Sequence, residues 1–411
     1  MTTKYMRNKW MVAALAALII AGCGHKEDKS NNNNITKKSN IVIDQDMKQR
    51  LAELAHASKP RGAFGFYVFD LTADKPVYGC MENRAMSSAS CLKLLSGTAG
   101  LHLLGTNYKY TTSLYTKGKM DNDTLRGDIA LKADVEPQLN APDMKMFAEV
   151  LKWKKIKKIT GKVYLDLFIK EPVKSETHWY PWDLSFSKYG IFFKGADQVK
   201  KAFKMALKEK GIQIDDNQII LGKVPTGSHC VFRFYRTIER VIKRMWKNSS
   251  NTQATSLLYA IGHRVNPKGE PTKAGVMYLK KILHEEIGIK DPAIVIHDGC
   301  GLCTHNHMSP KSLVLILRYG YKHKDIYRLM KRYLSVAGVD GTARGLLNTP
   351  EMKGRIWAKT GTLSHPYGIS SLAGFAQGKN GHMYAFAIMD NDMSVLDAHV
   401  LQKKLGQALM K

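Results

Sequence analysis

The sequence predicts an α/β (α+β) protein. Strand-like runs closed by turn residues alternate with apolar or amphipathic helical runs along the chain. The texture changes between about Lys117 and Pro225, which divides the chain after its N-terminal region into blocks 46–116, 117–225 and 226–411. At 411 residues and 44% hydrophobic content the chain can fill one large domain with an insertion, or two domains, and it carries no internal repeat.

Taken in order, helical periodicity starts near Met47 and runs through Leu54. Gly65–Leu71 and Pro76–Gly79 read as strands. Ser90 to Leu104 is an apolar helix, expected to be largely buried. In the second block, Gly127–Leu131 and Thr160–Asp166 read as strands and Met144–Trp153 as a helix. Val199 to Lys210 is amphipathic and stops at Gly211. Ile238, Val241, Ile242 and Met245 form a helix leading into Ser249, and Ser309 to Tyr319 is another. Ile356–Lys359 and Met383–Met389 read as strands, with a last helix after Ser394.

The first residues bear on compartment. Lys4, Arg7 and Lys9 precede an apolar run, Met11 to Ile20, that is too short to span a bilayer. Ile20-Ala21-Gly22-Cys23 closes it with small residues before a cysteine, which reads as a signal peptide over 1–22. The closing tetrapeptide resembles a bacterial lipobox, in which the Cys23 thiol is acylated and anchors the protein to a membrane. The alternative is an ordinary secretory signal with an incidental cysteine. A tether over 23–45, rich in Lys, Asn and Ser, follows. His25-Lys26-Glu27-Asp28 is similar to surface-export signals of some Bacteroidetes lipoproteins. The formal charge of +28 favours anionic partners or serves solubility. No zinc-finger, RNP-type or basic-zipper pattern accompanies it, so nucleic acid is not an expected partner.

Three polar signatures stand in order: Ser90-Cys91-Leu92-Lys93, Ser249-Ser250-Asn251 and Lys359-Thr360-Gly361. Residues three apart on a helix share a face, so Lys93 can reach Ser90 and, as a neutral amine, take its hydroxyl proton. S-x-x-K, S-x-N and K-T-G together mark penicillin-recognising serine acyl-transferases. Met86 to Leu95, Ala99 to Gly105, Tyr108 to Thr112, Asp298 to Cys303, Ser335 to Thr342, Ala358 to Leu363 and Ser370 to Phe375 extend the match. Over about Leu51 to Asp390 the chain resembles the D-alanyl-D-alanine carboxypeptidase/endopeptidase family of class C low-molecular-mass penicillin-binding proteins.

The resemblance implies a transpeptidase-like domain, an antiparallel sheet flanked by helices, made of 46–116 and 226–411. It makes 117–225 a small inserted α/β domain. A further nested domain common in the family is expected to be absent, or reduced to a loop around Trp179-Tyr180-Pro181-Trp182. Ser90 is then the nucleophile and Lys93 its general base, with an amine pKa lowered by burial and a neighbouring cation. Lys359 supplies that cation and attracts the substrate's terminal carboxylate. Ser249 relays a proton toward the leaving group. Asn251 hydrogen-bonds Lys93 and the substrate backbone, while Ser250 points away. Thr360 and Thr362 line the cleft, Gly361 lets the strand approach the ligand, and the N–H groups of Ser90 and Thr362 form the oxyanion hole. Asp134, in Lys132-Ala133-Asp134-Val135-Glu136-Pro137, either reaches the stem peptide's side chain or is a solvated surface acid. Asp298 and Asp340 sit in Asp-Gly turns, for which turn-forming roles suffice.

With Cys23 set aside, Cys80, Cys91, Cys230, Cys300 and Cys303 are an odd number. Cys300 and Cys303 stand where the family has Ser; they are substituted loop residues or take part in an envelope disulfide. The implied function is a cofactor-independent, metal-free serine hydrolase of peptidoglycan D-Ala-D-Ala stem peptides. It would be anchored in the bacterial envelope, on the periplasmic face or outer-membrane surface, and inhibited by β-lactam antibiotics. The rivals are a serine β-lactamase and a non-catalytic cell-wall-binding protein of the same fold.

Overall fold

The Asp44 side chain accepts from the N–H of Met47 and caps the first helix, α1 (Gln45–Ala55), which buries Met47, Leu51 and Leu54. In this computed structural model the described residues are 44–57, 61–174, 179–180, 188–364 and 368–411. The expected signal, the tether with Cys23, and Pro181-Trp182 lie outside them.

Strands β1 (Ala63–Asp70) and β2 (Lys75–Cys80) follow, then the short β3 (Met86–Ser87) and a 3-10 turn, Ala89–Leu92, which leads into α2 (Lys93–Leu104). The second block comprises β4 (Lys109–Asp121), β5 (Thr124–Ala133), α3 (Lys145–Trp153), β6 (Lys158–Ile159), β7 (Val163–Leu167), α4 (Ala196–Glu209), β8 (Ile219–Leu221) and β9 (His229–Thr237). Helices α5 (Ile238–Lys247), α6 (Asn251–Val265) and α7 (Pro271–Glu285) come next. They precede β10 (His307–Met308), α8 (Pro310–Lys322), α9 (Lys324–Tyr333) and β11 (Ser335–Val336). The chain ends with β12 (Ile356–Leu363), β13 (Ile369–Gln377), β14 (Met383–Asn391) and α10 (Val395–Met410).

The first sheet has the order β11-β12-β13-β14-β1-β2, antiparallel throughout. Both its faces are covered, so β1, β13 and β14 are near-continuous apolar runs. Successive residues still alternate between two cores. Tyr67, Phe69, Ala373, Phe375, Ala385 and Ala387 join the core built on α2, α5, α6 and α8. Phe66, Val68, Leu372, Phe386 and Ile388 join the core under α1 and α10. Helix α2 is buried from Lys93 to Leu101, as an apolar run without a polar stripe requires.

The second sheet has the order β8-β7-β5-β4-β9, with β7 and β8 parallel to their neighbours and β6 pairing β5. Leu114, Leu131, Leu165 and Phe232 lie in register on one face and pack against Phe147, Leu151 and Phe203 of α3 and α4. Its strands run from Lys109 to Thr237, outside 117–225 at both ends, because β4 and β9 pair with each other. Residues Val42–Lys411 form one compact unit.

Candidate active site

Ser90 sits in the 3-10 turn that runs into α2, three residues before its first residue Lys93, so its side chain is presented at the end of a buried helix and stays half-exposed. Ala89, just before it, has φ 43°, and Ser249 has φ 57°. Left-handed backbone at a residue with a Cβ costs on the order of 1–3 kcal/mol, and both instances fall beside the reacting groups.

The Lys93 side chain is fully buried at 0% exposure. Its Nζ lies 2.8 Å from Ser90 Oγ, 2.8 Å from Asn251 Oδ1 and 2.5 Å from the Cys300 carbonyl oxygen. No carboxylate among the described residues touches it. A neutral amine has two N–H groups and one lone pair. Asn251 and Cys300 accept the two N–H groups, which leaves the lone pair for the Ser90 hydroxyl proton. Burial pushes the Lys93 amine down from its usual value, opposed by the weaker fields of Cys300 and Asp298.

Lys359 is the second fully buried lysine. It stands on β12, its Nζ 2.8 Å from Ser249 Oγ and 2.5 Å from the Thr360 carbonyl. Burial first, and the charge of Lys93 second, push it down to about 7. The charge of Lys93 thus acts on Lys359 without direct contact.

Gly361 is where β12 meets the nucleophile's backbone. A Cβ there would stand 2.3 Å from Ser371 Oγ, 2.8 Å from the Ser88 carbonyl and 2.9 Å from the Ser90 nitrogen, so only glycine permits the approach. Cys91 Sγ donates to the Lys359 carbonyl at 3.1 Å, and Ser371 Oγ donates to the Ser88 carbonyl at 2.6 Å. Thr360 is half-buried and bonds Thr342 at 2.7 Å, while Thr362 is exposed. Ser250 caps α6, accepting from the Gln253 N–H.

The loop that supplies the Cys300 carbonyl is organised by Asp298, 1% exposed. Its carboxylate accepts from the N–H groups of Cys300, Gly301 and Cys303, from Asn306 Nδ2 and from Trp179 Nε1. Asp298 therefore sets the position of an oxygen in contact with Lys93, more than a turn-forming role. Gly301, φ 79°, packs so close that a Cβ would meet the Ala89 carbonyl at 1.9 Å. Cys300 and Cys303 are buried in this loop, and no disulfide joins cysteines among the described residues. Burial raises the Cys303 thiol to about 11, far from thiolate chemistry.

Ser90, Lys93, Ser249, Asn251, Lys359, Thr360 and Gly361 are thus brought together, with Thr362 next along β12. Asp134 is not. It accepts from Tyr108 Oη at 3.2 Å and lines a depression with His263, at the far end of α6 from Asn251. Twelve helical residues separate that end from Asn251, about 18 Å. The segment that does approach is the following turn. Glu136 is buried, ion-paired with Arg236, and caps the N–H groups of Gln138 and Leu139. Gln138 Nε2 then donates to Gln253 Oε1 at 2.9 Å, two residues beyond Asn251. An adjoining cavity of about 610 Å³ is lined by Gln138, Lys188, Lys194 and Arg244, among others. Only a buried acid between a strand and Pro137 hinted at this turn in the sequence.

Similarity to known proteins runs along the same residues. The chain is 23% identical to the D-alanyl-D-alanine carboxypeptidase DacB of Haemophilus influenzae, covering 89% of this chain and 91% of that protein. Among solved structures, it resembles penicillin binding protein 4 (dacB) from Haemophilus influenzae with a TM-score of 0.76 at 20% identity, over 88% of this chain and 99% of that one. It also resembles Bd3459, a predatory peptidoglycan endopeptidase from Bdellovibrio bacteriovorus, with a TM-score of 0.59 at 15% identity, over 85% and 93%. Residues 47–190 and 190–410 match one family across both sheets and every polar triplet described above, and the chain belongs to it: the D-Ala-D-Ala carboxypeptidase 3 (S13) family.

Proposed function

We propose that this chain is a serine-type D-Ala-D-Ala carboxypeptidase, endopeptidase or both, acting on peptidoglycan stem peptides through an acyl-enzyme at Ser90. The observation that carries the reading is the environment of Lys93: a buried amine, no carboxylate contact among the described residues, two fixed acceptors and the Ser90 hydroxyl.

Ser90 Oγ bonds to the carbonyl carbon of the penultimate D-Ala as its proton passes to Lys93 Nζ. The oxyanion is received by the N–H groups of Ser90 and Thr362; one such contact contributes on the order of 3 kcal/mol. The C–N bond then breaks, and the leaving amine takes a proton relayed through Ser249. Free D-Ala leaves in the carboxypeptidase reaction, and a cross-linked diaminopimelate in the endopeptidase reaction. Water, deprotonated by Lys93, hydrolyses the ester. Lys359, with Thr360 and Thr362, faces the terminal carboxylate. The cationic cavity beside Gln138 suits carboxylates farther along the stem peptide. β-Lactams acylate the same hydroxyl.

In this reading 117–225, with β4 and β9 at its margins, is a domain inserted into the transpeptidase-like fold. Cys23 carries a lipid that holds the enzyme in the cell envelope. No helix among the described residues is long and apolar enough to cross a membrane.

Defined monomeric and cross-linked muropeptides, incubated with purified protein and followed by mass spectrometry, test the activity. Loss of one D-Ala from pentapeptides, or scission of D-Ala–diaminopimelate cross-links, is expected. Intact muropeptides alongside rapid penicillin turnover would overturn it in favour of a β-lactamase.

A further inference from the structure

Among the described residues, the face of the second sheet turned away from α3 and α4 carries no helix of its own, and its side chains fall into two ordered rows. Arg233, Ser113, Lys132 and Asp166 are register partners across β9, β4, β5 and β7, so they project from the same face. The adjacent row holds Tyr235, Thr111, Asp134 and Phe168: Thr111 pairs Tyr235, and the N–H groups of Asp134 and Phe168 bond the carbonyls of Thr111 and Ala133. The centre is small and polar, while the margins are charged or aromatic. Helix α6 closes one side with His263, whose ring lies 4.3 Å from that of Phe168. Lys223 closes another, 3.0 Å from Asp166. The result is a depression of about 420 Å³.

Two features distinguish it from a solvated sheet face. His263 Nδ1 is buried and has no hydrogen-bond partner among the described residues. A buried ring nitrogen without a partner is rare unless something else supplies one. The charges are also incompletely matched. Lys223 occupies Asp166, but no carboxylate among the described residues pairs Lys132 or Arg233. Among the described residues Asp134 accepts only the Tyr108 hydroxyl and the Val135 N–H, which leaves acceptor capacity on each oxygen. Lys132 and Asp134 are two residues apart on β5, about 7 Å. Arg233 stands two strands from Lys132, about 10 Å. All three side chains are long enough, or near enough, to converge over Ser113 and Thr111.

We propose that this depression is a second ligand site, separate from the Ser90 cleft, that takes the zwitterionic head of an amino acid. Arg233 and Lys132 receive the carboxylate and Asp134 the ammonium. Phe168 and His263 cover the side chain. The site takes one residue with both groups free, not the interior of a peptide. Because it lies roughly 18 Å along α6 from Asn251, its occupant is not the residue undergoing acyl transfer.

Calorimetric or NMR titration of the full chain with D-alanine tests this, with propionate and ethylamine as probes lacking one charge each. Saturable D-alanine binding is expected, at least tenfold tighter than either probe, and retained after Ser90 is blocked by penicillin. Arg233→Gln and Asp134→Asn, each checked by circular dichroism, should weaken it about tenfold or more, as loss of a charge-assisted contact does. His263 ring resonances should shift on titration. No saturable binding, equal binding of propionate or ethylamine, or binding abolished by Ser90 acylation would each overturn the proposal. A merely solvated face would give the first of these. The readout does not depend on turnover, so it stands or falls separately from the muropeptide assay.

Discussion

At the scale of single residues, the two buried lysines separate function from stability. Lys359 has an amine pulled from the usual 10.5 down to about 7, chiefly by burial. Between those values the unfolded chain holds a proton that the folded chain lacks, so this residue makes stability rise with pH across that window. Lys359→Met removes the titration while keeping similar volume. Its thermal midpoint relative to wild type should be most favourable at or below about pH 7 and lose that advantage toward pH 10. Acylation should fall about a hundredfold or more at and below about pH 7, where Lys359 carries its charge, and the gap to wild type should narrow as pH rises. Melts and stopped-flow acylation across pH check both halves; a midpoint difference independent of pH would contradict the burial argument. Acylation by wild type should itself fall on the acid side, where Lys93 becomes an ammonium. It should also fall on the alkaline side, where Lys359 loses its charge. Gly361→Ala is a steric counterpart. Its Cβ meets Ser371, Ser88 and Ser90 at once, so acylation should drop at least tenfold, and a rate within twofold of wild type would show that β12 can retreat.

At the scale of elements, the loop Asp298–Cys303 joins catalysis to folding. Asp298→Asn puts an amide N–H₂ where three backbone donors converge, leaving buried donors unmatched at about 1–3 kcal/mol. It should lower the melting midpoint and acylation together, through the displaced Cys300 carbonyl. Replacing Cys300 and Cys303 with Ser should leave acylation within about threefold, under ~0.7 kcal/mol. A hundredfold loss without unfolding would make the thiols functional. The same elements show what a sequence displays. The amphipathic α4 and α5 were legible because one face of each is wet, and the Gly211 stop is a true left-handed residue, φ 74°. Helix α6 was not, since its first three turns are buried on all sides and leave no polar stripe. Strands β4 and β9 carry their partner information in each other, 113 to 128 residues apart, beyond any local pattern. Ser90, Lys93, Asn251 and Lys359 were legible as triplets. Asp298's role and Asp134's remoteness were not, because both depend on which turn the chain folds against α6.

At the scale of the whole molecule, the reacting groups come from three separate segments, Ser90 with Lys93, Ser249 with Asn251, and Lys359, held by the first sheet and the helices around α2. The N-terminal anchor would set where that machinery works. Cys23→Ser should release the protein from the membrane fraction; if the variant stays bound and wild type incorporates no labelled fatty acid, Cys23 is not lipidated. The segments that meet at β12 make Ser90 a nucleophile through Lys93. Peptide mapping by mass spectrometry after incubation with a labelled penicillin tests this. One adduct is expected on the peptide containing Ser90, absent in Ser90→Ala and at least about a hundredfold slower to form in Lys93→Met. An adduct on another residue, or one undiminished in Ser90→Ala, would contradict it.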